Sequence, residues 1–376
     1  MRKRTSILCA LLAAAGQLWN SASAATSHSI LNVSYDVTRE FYQDYNQAFI
    51  NYWKEKTGET AVIAQSHDGS GKQAFAVLNG LGADVVTMNQ TFDIDVLNRK
   101  GRLLPQNWAV RLPHGSVPYT STIVFVVRGG NPRNIRNWDD LIQSNLCVVV
   151  PNPKTSGNGR YSYLAAWGYA LKKSADLRAA ETHTPLAEGG NPPSTPSGYG
   201  PTEAGDEQQA RAFVAKLFAN VPILDTGGRG ATITFADRGI GDVLLTFENE
   251  AALVQRAFPT NELQVVLPPV SILAENPVAW LDANVRRHHT EAISRAYLEY
   301  LYSDAGQELA AQHFFRPQNQ AILARYSPRY KPVELFTVND IAGSWTQAQA
   351  VHFADGGIFD QIYHSKPTPP GEAHSR

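Results

Sequence analysis

The sequence predicts an α/β protein whose two lobes face each other across a ligand cleft. Three observations lead there. Apolar strand-like runs alternate with helical stripes, the mark of sheets flanked by helices. The alternation comes in two series, separated by a proline-dotted stretch at 105–118. Three times, a strand runs into a short polar, glycine-bearing turn and then toward a helix. These turns are Ser66-His67-Asp68-Gly69-Ser70-Gly71, Thr155-Ser156-Gly157-Asn158-Gly159 and Thr226-Gly227-Gly228-Arg229-Gly230. Glycine lets backbone approach a ligand closely. The first N–H groups of a helix lack internal partners and carry partial positive charge. Such junctions receive anions, and three of them suggest one anion gripped from several sides.

The elements follow in order. Residues 30–35 read as a strand ending at Asp36. Thr38 is placed to cap the next helix, whose Phe41, Tyr45, Phe49 and Trp53 recur every four residues. Thr57-Gly58 closes it. Residues 61–65 form a second strand before the first glycine turn. The helix after that turn carries Ala74, Val77, Leu78 and Leu81 on one face. Residues 83–88 form a third strand, followed by Asn89-Gln90-Thr91 and a helix to about Lys100. Ligands of parallel α/β sheets sit beyond the carboxyl ends of the strands, so Asp36, Ser70 and Asn89 share one rim.

The second series starts with a strand at 121–127, then a short helix at 138–142 and a strand at 147–150 leading to the second turn. A helix over 159–171 buries Tyr161, Leu164 and Leu171. Residues 173–208 are rich in Gly, Pro, Ser and Thr without apolar period and read largely as a surface loop insertion. The strand 221–225 leads to the third turn. Residues 231–235 fit either a helix or an alternating strand. Strands follow at 242–247, 263–267 and 272–281, then a helix over 291–313 and a polar tail from 365 to 376.

Composition narrows the function. The chain has 376 residues, 18% charged and 43% hydrophobic, enough for roughly two domains of about 150 residues. Arg2, Lys3 and Arg4, a short apolar run and Ala22-Ser23-Ala24 read as a secretory signal over 1–24. Losing those three cations takes the formal charge from −1 to −4, against nucleic-acid binding. Cys9 leaves with the signal, and Cys147 reads as one buried, inert thiol. There is no metal-type cysteine spacing and no HExxH, and His288-His289 read as solvated.

The motifs admit competing readings. Asp68-Gly69-Ser70-Gly71-Lys72-Gln73 departs from a nucleotide P-loop twice: Ser66 stands for the first glycine, and Gln73 for the Ser/Thr. It also reads as a plain helix start, with Ser70 a donor through hydroxyl and backbone. The second turn offers Ser156, Gly157 and Asn158, or is an N-capping turn. Arg229 in the third is either an anion contact or a surface arginine paired to a carboxylate. Asp36 reads best as an N-cap, alternatively as a support that orients donors, and Asp68 as solvent-facing. No GxSxG elbow supports a hydrolase.

Taken together, the motifs resemble the periplasmic sulfate/thiosulfate-binding proteins of ABC importers, from about residue 30 to 362. The resemblance rests on the three turns above, on Asn32-Val33-Ser34-Tyr35-Asp36 and on Ala83-Asp84-Val85-Val86-Thr87. It rests further on Pro151-Asn152-Pro153-Lys154-Thr155-Ser156-Gly157 and on Gly241-Asp242-Val243-Leu244-Leu245-Thr246-Phe247-Glu248-Asn249-Glu250. It implies a two-lobed periplasmic binding protein of type II, each lobe a mixed, mostly parallel sheet flanked by helices. Lobe 1 is expected over 25–119 plus 270–345, lobe 2 over 120–269, and a C-terminal segment over 346–376.

The resemblance also implies a dehydrated dianion held by uncharged donors and delivered to a membrane permease, without catalysis, cofactor or metal, by a monomer in the periplasm. Ser70 would donate from the first lobe, Ser156, Gly157 and Asn158 from the second, and Gly228 from the third turn, with Asp36 ordering the site. Three departures look like the thiosulfate branch. Phe247 stands where the sulfate branch has tryptophan, Asn158 where it has glycine, and Asn89-Gln90 where it has apolar residues. Molybdate or phosphate binding, an exported hydrolase and a scaffold that reuses the fold are the alternatives.

Overall fold

The computed structural model describes residues 27–182 and 204–364. The expected signal, the middle of the insertion and the polar tail lie outside the described residues. The strands are β1 Ser27–Tyr35, β2 Thr60–Asp68, β3 Val85–Thr87, β4 Tyr119–Val127, β5 Val148–Pro151, β6 Leu224–Asp225, β7 Val243–Phe247, β8 Gln264–Val266, β9 Val270–Glu275, β10 Val278–Trp280, β11 Arg316–Pro317 and β12 Glu334–Phe336.

They form two sheets. The first has the order β10-β3-β1-β2, with β1 parallel to β2 and β3, and β10 antiparallel to β3. The second runs β12-β9-β4-β7-β5-β6, with β8 and β11 also on β4. Mostly parallel pairing fits the first sheet. In the second, β4 lies antiparallel to β7, β8, β9 and β11, because it carries the chain across and later strands return along it.

Each sheet is covered on both faces, which is why its strands read as nearly continuous apolar runs. Period-2 alternation divides them. Ile30 and Val85 enter one core beside Phe41, Tyr45 and Phe49, while Val33 and Val86 enter another beside Ala74 and Leu97. In the second sheet Ile123, Phe125 and Phe247 face one core, and Val124, Val126 and Leu244 the opposite one. Helix α1 (Arg39–Thr57) buries the predicted Phe41, Tyr45, Phe49 and Trp53 and ends at Gly58, whose φ of 76° needs glycine. Helices α2 (Ser70–Leu78) and α3 (Thr91–Arg99) cover the other face.

Several expectations are corrected. The helix predicted over 159–171 runs from Gly157 to Thr182, and the next begins at Ala204, so both ends of the expected 173–208 loop are helical. The segment 272–281 is two strands in different sheets: Asn276-Pro277 breaks β9 from β10, and proline cannot donate to a ladder. Strands β9 and β12 therefore join the second sheet although 270–345 was expected with lobe 1. The helix over 291–313 is two, Glu291–Tyr300 and Asp304–Gln312, the second capped by Ser303 Oγ on the Gly306 N–H. Residues 231–235 are helical, entering a wide π turn at Ile233. Helix Ile358–His364 packs on the helix Ala204–Ala219, placing the C-terminal segment with the second sheet. His288 is no free surface ring: its Nδ1 lies 2.9 Å from Asp84 Oδ1. Cys147 precedes β5 and is half-buried, with burial pushing its thiol pKa up.

Candidate functional site

The three glycine turns meet. Strand β2 delivers Gly69 to the start of α2, β5 delivers Gly157 to the long helix Gly157–Thr182, and β6 delivers Gly228 to a short helix. The first belongs with the first sheet, the others with the second. A Cβ on Gly69 would lie 2.7 Å from the Thr155 carbonyl oxygen and 3.3 Å from that of Thr226. A Cβ on Gly157 would lie 1.9 Å from Asn89 Oδ1, and one on Gly228 2.9 Å from Asn158 Nδ2. Ser70, Asn89, Gln90, Ser156, Asn158 and Phe247 are all at most 2% exposed. All six were expected site residues, and the fold buries them where the glycine turns of the two sheets meet.

The helix starts at Ser70 and Gly228 have no side-chain cap. Their leading N–H groups, like those at Gly157, have no partner inside the helix. Ser70 Oγ makes only a long contact to Met88 Sδ at 3.5 Å. Meanwhile the cations beside the turns are already neutralised. Lys72 pairs with Asp68 at 3.3 Å, Lys154 with Asp355 and Asp360 at 3.1 and 2.9 Å, and Arg160 with Asp93 at 3.4 Å. Arg229 pairs with Glu40 at 2.8 Å. What remains positive at the junction is backbone amide and hydroxyl.

Asp36 is not the N-cap of α1, which has no side-chain cap; Thr38 Oγ1 instead donates to the Tyr35 carbonyl at 2.6 Å. The Asp36 carboxylate reaches the other lobe, accepting the Arg229 backbone N–H at 2.9 Å. A Cβ on Gly227 would stand 2.5 Å from Asp36 Oδ2, so only glycine fits there. Desolvation pushes the Asp36 pKa up, against the opposing pull of the Arg229 N–H and guanidinium. Asp36 thus supports the third turn. The Arg229 guanidinium, tied to Glu40 and 3.5 Å from Glu250, is a brace rather than a free anion contact. Asp68 is half-exposed, yet its Oδ1 accepts the Gly69 N–H at 2.7 Å.

Asn158 turns its amide inward: Nδ2 donates to Thr246 Oγ1 at 2.9 Å, and Oδ1 accepts from Ser162 Oγ at 3.2 Å. Gln90 Nε2 donates to Asp93 Oδ2 at 2.6 Å. The Phe247 ring is wedged edge-on between Tyr35 and Tyr161, with centroids 6.2 and 5.7 Å away.

Sequence reasoning missed the second layer. Arg160 donates through Nε to the Pro153 carbonyl at 3.0 Å and through Nη2 to that of Lys154 at 3.4 Å, shaping the second turn while it pairs with Asp93 of α3. Its position one helical turn after Ser156 was the available signal. Thr155 Oγ1 donates to the Thr226 carbonyl at 2.9 Å and ties two turns together. Glu250 accepts from Thr232 Oγ1 at 2.8 Å.

Known proteins share this arrangement's sequence and fold. Residues 37–316 match the family described as bacterial extracellular solute-binding protein. The chain is 49% identical to a thiosulfate-binding protein of Pseudomonas aeruginosa, over 94% of this chain and 97% of that one. It is 46% identical to a sulfate-binding protein of Salmonella typhimurium, over 89% and 92%. The sulfate-binding protein SubI from Mycobacterium tuberculosis superposes with a TM-score of 0.70 at 29% identity, over 86% of this chain and 98% of that one. With its interlobe junction of helix starts and these likenesses spanning nearly its whole length, the chain belongs to the bacterial extracellular solute-binding proteins, among the relatives that include the sulfate- and thiosulfate-binding proteins.

Proposed function

We propose that this protein captures sulfate and thiosulfate between its lobes and delivers them to the membrane permease of an ABC importer. It acts as a binding protein without catalysis, in the periplasm, after removal of the leader over 1–24. The observation that carries this reading is the meeting of three helix starts at a buried junction where Lys72, Lys154, Arg160 and Arg229 are each paired with a carboxylate. Stripping water from a dianion is very costly unless hydrogen bonds replace it. Hydrogen bonds to a charged group contribute about 1.5–3 kcal/mol each, so several must converge. Ser70 supplies hydroxyl and backbone donors from one side, and Ser156, Gly157, Asn158 and Gly228 supply donors from the other. Asn89 and Gln90 wall the site, Phe247 forms its apolar side, and Asp36 and Arg229 brace it.

Donors from both lobes make closure and binding one event, since only the closed form satisfies the ligand. The donor set favours an unprotonated dianion; hydrogen phosphate brings a proton that needs an acceptor. Calorimetry on the mature, ligand-free protein with sulfate, thiosulfate, molybdate and phosphate tests the reading. Tight one-to-one binding of the first two with weak phosphate competition is expected. Phosphate displacing either at equal concentration would overturn it.

A further inference from the structure

We infer a second small-molecule site, on the far face of the second sheet, that takes an organic anion with an apolar body and a sulfonate or carboxylate head. A cavity of about 370 Å³ opens where β4, β8 and the helix Glu248–Ala257 face the segment 314–331. That volume falls in the range of about 300–1,000 Å³ typical of small-molecule sites. It is separate from the junction of the glycine turns. Val124 lines it and belongs to the core opposite the one that holds Phe247.

Val124, Val265, Leu267 and Phe314 supply apolar walls, and Gln255, Tyr330 and the cations Arg329 and Lys331 share the lining with them. Arg256 lies 4.4 Å from the Phe314 ring centroid and Arg329 5.2 Å from it. Among the described residues no carboxylate pairs with Arg256, Arg329 or Lys331, in contrast to the paired cations around the glycine turns. The carboxylate that lines the cavity, Glu248, is held by Arg316 in two hydrogen bonds of 2.7 and 2.9 Å and so offers no free negative charge. Phe314 has a φ of 65°, which a bulky residue rarely adopts. In this conformation its ring meets two guanidinium groups, those of Arg256 and Arg329. A pocket with apolar walls, with Arg329 and Lys331 in its lining and Arg256 against the Phe314 ring, selects a molecule that is greasy at one end and anionic at the other. Sulfate, with no apolar part, gains little there.

The test titrates naphthalene-2-sulfonate into mature protein kept saturated with sulfate, so that the interlobe junction is blocked. One-to-one binding is expected, with uncharged 2-naphthol binding at least tenfold more weakly. The Arg256→Glu/Lys331→Glu double variant should weaken the sulfonate at least tenfold, and Ala252→Trp should abolish its binding by filling the cavity. Sulfate affinity reports that each variant is folded and should be unchanged. The inference fails if the sulfonate does not bind, if excess sulfate displaces it, or if naphthol binds as tightly. It fails equally if both variants retain full sulfonate affinity with sulfate binding intact.

Discussion

A Cβ at position 157 would stand 1.9 Å from Asn89 Oδ1 and 2.5 Å from its Cγ, with Asn89 itself buried. The glycine is thus required by the opposing lobe. Gly157→Ala should hold the lobes apart and weaken sulfate at least tenfold in calorimetry, and adding Asn89→Ala should restore part of the loss. Equal affinities in the parent and Gly157→Ala would refute this account of closure. Phe247 poses the complementary case. Its ring cannot donate a hydrogen bond, and an indole in its place adds a donor while crowding Tyr35 and Tyr161. Overpacking of this kind costs roughly 1–3 kcal/mol, so Phe247→Trp should melt lower. Its sulfate-to-thiosulfate affinity ratio should rise severalfold, and an unmoved ratio would remove the argument. At this scale the sequence located the turns that carry Ser70, Ser156, Asn158 and Gly228, because glycine-bearing turns after strands are local patterns. It misassigned Asp36, because capping is a local rule and the carboxylate's partner lies 193 residues away. The Arg160–Asp93 pair spans 67 residues, so although Arg160's place one turn after Ser156 is visible in the sequence, its partner is not.

Element by element, the apolar periods located the strands of both sheets and the four-residue aromatic stripe of α1. They failed where tertiary context sets an element's ends. The helix from Gly157 outlasts its apolar stripe because the helix Ala204–Ala219 packs along it. Asn276-Pro277 splits a continuous apolar run, since both halves are buried in different sheets. The helix Glu248–Ala257 carries a further consequence. Glu250 in its first turn is fully buried; its Oε1 accepts from Thr232, its Oε2 has no hydrogen bond and lies 3.5 Å from Arg229, and Asp36 and Glu40 are farther off. Burial pushes its pKa from 4.5 up to about 7, with Arg229 pulling the other way while bound more closely to Glu40. A raised folded-state carboxyl pKa means the native state holds the proton more tightly than the unfolded chain. The resulting stability is full below pH 4.5 and is lost as pH rises through 7. At 1.36 kcal/mol per pKa unit this amounts to about 3 kcal/mol. Glu250→Gln should therefore flatten the fall in melting temperature between pH 5 and 7.5, measured without ligand. A parallel pH profile in the variant would contradict the assignment.

For the molecule as a whole, the question is what draws the lobes together besides the anion. Polar contacts cross between them near the junction, among them Asp36 to the Arg229 N–H, Arg229 to Glu40, and Arg160 to Asp93. The last is the most deeply buried, with side chains 6% and 4% exposed. Removing one member of a buried pair leaves an uncompensated charge and costs about 3–5 kcal/mol. Because Arg160 and Asp93 come from different lobes, Asp93→Asn should penalise the closed form alone, which opening relieves. Two effects then compete at the anion. Losing the closed-state contact weakens binding, while an unpaired guanidinium near a dianion strengthens it through a charge that salt screens. The Arg160 side chain is occupied with the Pro153 and Lys154 carbonyls, so the first effect should dominate. Sulfate affinity of Asp93→Asn is expected to fall ten- to a hundredfold and to become more salt-dependent than the parent's. Small-angle scattering should show a larger radius of gyration than the parent at the same subsaturating sulfate concentration. Unchanged affinity together with an unchanged radius would show that the anion alone holds the lobes closed.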